Sequence, residues 1–260
     1  MRQMRRSRTY RAQGIVLGRR DLGDADRIVT IFTREFGRRQ FVARGSRRPS
    51  SHLGPNIEIF SRVRILGVIG SSLHILSQAE EVESHPRLRT DLRAFAAAGW
   101  SVELLNGLSE DDTPSSGAYD ALLTFLRGLD LKEGPPEVWL AALSLVLLRL
   151  HGYLPELSVC VECQKPVVPG KHFFASTAGG VICSNASHTE NGQPLSVDAL
   201  KVLRYVARDG FHAAARLQID DVVRGEVHEV LRAYATTILE REIKSARMLQ
   251  MVGARTSTTT

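Results

Sequence analysis

The chain has 260 residues, 43% of them hydrophobic and 24% charged, a composition that suits one large or two to three small globular domains and excludes a disordered or fibrous polypeptide. Its longest apolar run, Val138 to Leu148, is about half of a membrane span and ends at Arg149, so no membrane helix is expected. The formal charge of +6 is unevenly spread: residues 1–50 hold fourteen arginines, no lysine and only four acids (Asp21, Asp24, Asp26, Glu35), giving +10 there and −4 (20 minus 24) over residues 51–260.

From Thr9 to about Ser84 the pattern is that of short strands broken by glycine. The expected strands are Tyr10 to Leu17, Arg27 to Thr33, Gln40 to Gly45, Ile57 to Leu66 and Ser72 to Ala79. Five strands in so short a span suggest a small barrel. In the fourth, Ile57, Ile59, Ser61, Val63 and Ile65 would face one side and Glu58, Phe60, Arg62 and Arg64 the other, the alternation of a half-buried strand. After His85 the periodicity becomes helical. Pro86 suits a first helical position, and Leu88, Leu92, Phe95, Gly99, Val102 and Leu105 follow at three- or four-residue spacing. An acidic, Ser/Pro-rich loop, Ser109 to Gly117, leads to a second helix over about 118–131, and Pro135 and Pro136 open a third, very apolar helix ending near Gly152. Trp100 and Trp139 are expected to pack in the core of this bundle. Ser196 is a good N-cap, with Leu195 and Leu200 placed as a hydrophobic staple, and a longer helix over about 221–250 puts Val227, Val230, Leu231, Tyr234 and Ile238 on one face. The pattern therefore predicts an α+β chain. Its expected organisation is a barrel over 1–84, a helical domain over 85–157 and 191–252, an inserted cysteine segment over 158–190, and a disordered tail over 253–260.

The three cysteines fall within 24 residues, a spacing suited to a metal site in a reducing compartment rather than to a disulfide framework. Cys160-Val-Glu-Cys163 is a two-spacer knuckle, and Cys183 follows after nineteen intervening residues, preceded by Gly179-Gly180. Thiolates so close suit a structural, tetrahedral Zn2+. His188, five residues past Cys183, would complete a Cys3His set; His172 competes for that place, and a knuckle that has lost its metal and is held by packing is the alternative. His188-Thr189-Glu190 matches the His-x-Glu of zinc deaminases, but there that motif precedes a Pro-Cys-x-x-Cys, whereas here the order is reversed and Val159 stands where proline should be. His228-Glu229 lacks the second histidine of a metalloprotease helix, and neither a Walker loop nor a Gly-x-Ser-x-Gly elbow occurs. A zinc-dependent nucleic-acid hydrolase or deaminase remains a rival reading, distinguished by whether loss of Cys160 removes turnover or stability. An RNA-binding barrel and zinc-ribbon protein is another, distinguished by preference for RNA.

The arginines carry the main functional signal. A guanidinium fork matches phosphate oxygens and stacks on base faces, which mere solubility does not require. Arg19 and Arg20 follow the first strand, Arg34, Arg38 and Arg39 surround the turn before the third, and Arg44, Arg47 and Arg48 lead out of it. Such side chains, at turns and along one barrel face, can form a groove that follows a phosphate backbone. Phe32, Phe36, Phe41 and Phe60 are interleaved with them; alternation sends most into the core and leaves one able to stack at a groove edge. Nothing resembles a recognition helix, so sequence readout is not expected.

Taken together, the stretch from Gly14 to Thr33 (GIVLGRRDLGDADRIVTIFT), the later Gly37, the Arg44-Gly45-Ser46-Arg47-Arg48 exit and the late Cys-x-x-Cys resemble the RecO family of bacterial DNA repair mediators, over nearly the whole chain. The resemblance implies an N-terminal OB-fold, a helical domain and a small zinc finger. It also implies a non-enzymatic role: binding single- and double-stranded DNA, annealing complementary strands, and working with RecR to help RecA displace single-strand DNA-binding protein at gaps and breaks. By position, Arg19, Arg20, Arg34, Arg38, Arg39, Arg44, Arg47 and Arg48 would form the DNA surface. Many relatives finish the knuckle with a second Cys-x-x-Cys; here Cys183-Ser-Asn-Ala-Ser-His188 replaces it. No secretory leader pattern is present, and the expected location is the cytoplasm, associated with the nucleoid.

Overall fold

The structure is a computed structural model that describes residues 8–184 and 192–249. The residues expected to form the disordered tail, 253–260, lie outside the described residues. By contact the chain divides into two units, Met1–Pro86 with Ser109–Leu123, and Arg87–Leu108 with Thr124–Thr260.

The first unit is built on a closed five-stranded barrel. Strands β1 (Thr9–Leu22), β2 (Asp26–Thr33), β3 (Gly37–Ala43), β4 (Arg62–Val68) and β5 (His74–Glu83) run in the order β1-β2-β3-β5-β4, and β4 closes the barrel by pairing antiparallel with β1. This is the strand order of an OB-fold. Alternation drives closure: Val16, Val29, Ile31, Phe41, Val63, Ile65 and Leu76 point into one core, while on β4 their neighbours Arg62, Arg64 and Leu66 take the opposite face. The junction of β3 and β5 is the weak seam, a parallel pairing confined to Phe41 with His74 and Val42 with Ile75.

The expected fourth strand begins later than its alternation suggests. Gly54–Asn56 form a short 3-10 turn and β4 starts only at Arg62. The break falls at Phe60, which takes a left-handed backbone (φ 69°) and is buried rather than exposed. Its N–H donates to the Val16 carbonyl, and Val16 N–H donates to the Ser61 carbonyl, so Phe60 and Ser61 both oppose Val16 in a bulge where the regular pairing of β4 with β1 ends.

The second unit is helical. Pro86–Arg89, the end of one unit and the start of the other, form a 3-10 turn rather than the start of the helix, and α1 spans Leu92–Leu108. Asp91 sets that start, because its side chain accepts hydrogen bonds from the N–H groups of Arg93 and Ala94. Helix α2 (Ser116–Leu131) begins in the first unit and ends in the second. Helix α3 (Pro136–Leu150) is buried over most of its circumference and packs against α1, α4 (Val197–Asp209), α5 (Phe211–Ala214) and α6 (Asp221–Leu239), as a hydrophobic run without a polar stripe must. Trp139 stacks on Phe211 at 5.5 Å between ring centroids, and Trp100 and His228 meet edge-to-face at 4.6 Å. Ser196 caps α4 by accepting from the Ala199 N–H, and Asp220 caps α6 in the same way from Val223. The left-handed residue Glu240 ends α6 well short of the expected 250; a separate helical stretch follows over 244–249. Between α3 and α4 lies a three-stranded antiparallel sheet of β6 (His172–Ala175), β7 (Gly180–Cys183) and β8 (Gln193–Leu195), ordered β7-β6-β8.

Candidate nucleic-acid interface and candidate metal centre

The arginines of the first fifty residues sit on the barrel itself, in three settings. Arg20, at the far end of β1, and Arg44 and Arg48, just beyond β3, are exposed, and no ion pair involves their side chains among the described residues. Arg47 is exposed but tethered: its guanidinium donates to the Gly23 carbonyl at 2.9 Å and lies 3.5 Å from Asp21. Arg19 is half-buried against Glu58 at 2.5 Å.

The third setting is the turn and first half of β3. Arg34 pairs with Asp120, Arg38 with Asp111 and Arg39 with Asp112, at 2.5, 2.6 and 2.5 Å. All three acids come from the segment that associates with the barrel, residues 109–123. Arg39 occupies an inward-facing position of β3, opposite Ile31, and closes the barrel mouth. Its guanidinium lies 4.4 Å from the Phe36 ring and 5.0 Å from the Tyr10 ring. Tyr10 and His74 are joined by a 3.0 Å hydrogen bond, and burial together with the Arg39 charge holds His74 below its ordinary pKa. Of the four interleaved phenylalanines, Phe32, Phe41 and Phe60 are core residues; Phe36 is the one left half-buried at the edge. The acidic partners escaped the sequence reading. Glu110-Asp111-Asp112 is conspicuous as an acidic run, but nothing in the order of residues links it to a strand 73 positions earlier.

The cysteine segment folds as a knuckle on the small sheet. Cys160 N–H donates to the Lys165 carbonyl, Gln164 N–H returns to the Cys160 carbonyl, and Gln164 takes the left-handed backbone that reverses the chain. β7 brings Cys183 back beside it. The three Sγ atoms all lie within 4.8 Å of one another, with 3.7 Å between Cys163 and Cys183. Four ligands at a Zn–S distance of about 2.3 Å require neighbouring sulfurs about 3.8 Å apart, so the trio fits three corners of a zinc tetrahedron. Burial disfavours the Cys160 thiolate, but N–H groups of Cys163, Cys183 and Glu162 converge on it and bring its pKa down to about 7. The donor set thus suits a thiophilic divalent ion. His188, the expected fourth ligand, lies outside the described residues. His172 faces Cys183 across the β6–β7 pair, yet it is not part of the cluster. It shares a strand face with Phe174, whose ring packs on Tyr234, and its Nδ1 donates to the Lys171 carbonyl at 2.6 Å.

Two family models match the chain: one described as Recombination protein O N terminal covers residues 4–85, and one described as Recombination protein O C terminal covers residues 89–247. The chain belongs to the RecO family. Relatives named DNA repair protein RecO include one from Roseiflexus sp. (strain RS-1), 36% identical over 248 residues, 95% of this chain and 87% of the relative. Another, from Symbiobacterium thermophilum, is 35% identical over 243 residues, 92% of this chain and 96% of the relative; a third, from Bifidobacterium adolescentis, is 32% identical over 249 residues, 92% and 98% of the respective chains. For this RecO family member the two family spans meet near residue 87, close to the first boundary between the contact-defined units. Among the described residues no helix is long and apolar enough to cross a membrane.

Proposed function

We propose that the protein is a non-enzymatic DNA-binding recombination mediator. In this reading it anneals complementary single strands and, with RecR, helps RecA load onto DNA coated by single-strand DNA-binding protein during gap and break repair. The observation that carries the reading is the arginine-dense barrel in a chain of the RecO family. Arg20, Arg44 and Arg48 offer exposed guanidinium groups, with Arg19, Arg34, Arg38, Arg39 and Arg47 beside them as further phosphate contacts. Annealing requires that the repulsion between two strands be screened without locking either base sequence, and arginines spread over a barrel meet that requirement through phosphate contacts alone. Zn2+ held by Cys160, Cys163, Cys183 and His188 would be structural, fixing the knuckle on its sheet. Work on DNA places the protein in the cytoplasm, at the nucleoid.

Pairing of two complementary oligonucleotides, followed by fluorescence with and without nucleotide, tests the reading. The expected result is acceleration that needs no nucleotide, and a triple variant Arg20→Glu, Arg44→Glu, Arg48→Glu that loses most of it. No acceleration, or full activity in the triple variant together with an affinity indifferent to salt, would sink the proposal.

A further inference from the structure

The acidic segment after α1 lies on β3 as more than a neighbour. Because β3 meets β5 only at Phe41 and Val42, the first half of β3 has an open edge on that side. The segment fills it: Arg38 and Asp111 form a parallel bridge, and Asp112 N–H donates to the Arg38 carbonyl at 3.1 Å. Gly37 allows this approach. It has a left-handed φ of 70°, and a Cβ there would lie 2.1 Å from the Thr113 carbonyl oxygen. With the backbone docked, the Asp111 and Asp112 carboxylates project over Arg38 and Arg39, and Asp120 lies over Arg34. Arg38 and Arg39 are mostly covered (21% and 16% side-chain exposure) while both acids stay open to solvent (59% each). The carboxylates therefore stand between the guanidinium groups and the solvent, where the oxygens of an incoming phosphate backbone would have to come.

We propose that residues 111–112 are a built-in competitor for nucleic acid: they occupy the phosphate positions of the β3 arginines and must be displaced before a polyanionic strand can use Arg38 and Arg39. This rests on the proposed DNA-binding role of the barrel and deepens it. The chemistry suits exchange. Exposed carboxylate–guanidinium pairs are individually weak, and a phosphate backbone offers the same oxygens with the added release of condensed counterions. The guanidinium of Arg39, already stacked on Phe36 and Tyr10, needs no rearrangement to accept them.

The test is single-strand DNA affinity of the full chain, by fluorescence anisotropy across a salt series, for the double variant Asp111→Asn, Asp112→Asn. The expected gain is about tenfold at moderate salt, with a steeper salt dependence because no carboxylates are uncovered on binding. Glu110→Gln changes the charge of the same segment, and no ion pair of Glu110 occurs among the described residues; it should gain less than about twofold. In an Arg38→Gln, Arg39→Gln background the Asp→Asn gain should vanish. Equal gains from Glu110→Gln and the double variant would overturn the proposal in favour of a general charge effect. Unchanged affinity in the double variant, with binding weakened by Arg38→Gln and Arg39→Gln, would overturn it while leaving the DNA-binding role intact. Indifference to all of these substitutions would remove β3 from the DNA surface as well. Melting curves accompany each variant, and the single substitutions give the same readout in halves if the double variant does not fold.

Discussion

Acid should loosen the helical unit through one residue, His228. Its ring meets that of Trp100 edge-to-face, and its Nε2 is buried without a hydrogen-bond partner among the described residues. The space between Trp100, Leu140, Ser144 and Leu231 around it has no room for a water molecule. Burial is the main reason its pKa falls to about 4; Glu137 and Glu229 act in the opposite direction and Arg232 adds to the depression. Glu137 offsets only part of this: its Oε1 is engaged by Arg93 at 2.7 Å, and its Oε2 lies 3.7 Å from Arg224. The folded state thus holds His228 neutral while the unfolded chain, with an ordinary value near 6.5, takes up a proton first. Stability is fully present above about pH 6.5, is lost as pH falls toward 4, and levels off below that. The difference between about 4 in the folded state and about 6.5 in the unfolded chain corresponds to about 3 kcal/mol. Urea unfolding of the wild type and of His228→Leu between pH 7 and pH 4 isolates this loss, because effects common to both proteins, such as metal release, cancel in the difference. The wild type should lose about 3 kcal/mol more than the variant across that range. Parallel losses, or a His228 titration near 6.5 by NMR, would refute the argument.

Replacing Cys160 by Ser removes a buried corner of the sulfur triangle. Bound zinc, measured by elemental analysis, should fall to background, and the melting temperature should drop by about 10 °C, which for a chain of this length is about 3 kcal/mol. A chelator should move the wild type in the same direction and leave the variant unmoved. Gly37→Ala places a Cβ against the Thr113 carbonyl at a left-handed position and should cost about 2–3 kcal/mol by chemical denaturation; a neutral result would mean that the segment does not dock there.

Much of the barrel is legible in the sequence because period-two alternation is a local property: Val63 and Ile65 point inward wherever the strand begins. The reading misses the irregularity at Phe60, where one left-handed residue buries a side chain expected on the outer face while Ile57 before it stays in the barrel core with Val63 and Ile65; no pattern of apolar residues signals that. It misplaces the start of α1 for a related reason, since Pro86 is a permissive signal and the Asp91 side chain, which satisfies two N–H groups, is the decisive one. Cysteine spacing brings out the sulfur triangle directly, whereas the distinction between His172 and the cluster depends on which face of β6 the ring takes. The basic character of the β3 arginines is plain from composition; their neutralisation by Asp111, Asp112 and Asp120 depends on tertiary pairings across 73 to 86 residues and has no local signature.

The chain crosses between its two units at three places, near 86, 108 and 123, and α2 belongs to both. The molecule is therefore not modular in the way its family spans suggest. A cut between residues 85 and 89 leaves Arg34, Arg38 and Arg39 on one fragment and their carboxylates on the other. An isolated N-terminal fragment would be a different electrostatic object from the barrel of the intact chain, with an open β3 edge and three guanidinium groups parted from their carboxylates. Affinities measured on such a fragment describe a surface whose Arg38 and Arg39 the whole protein keeps beneath carboxylates.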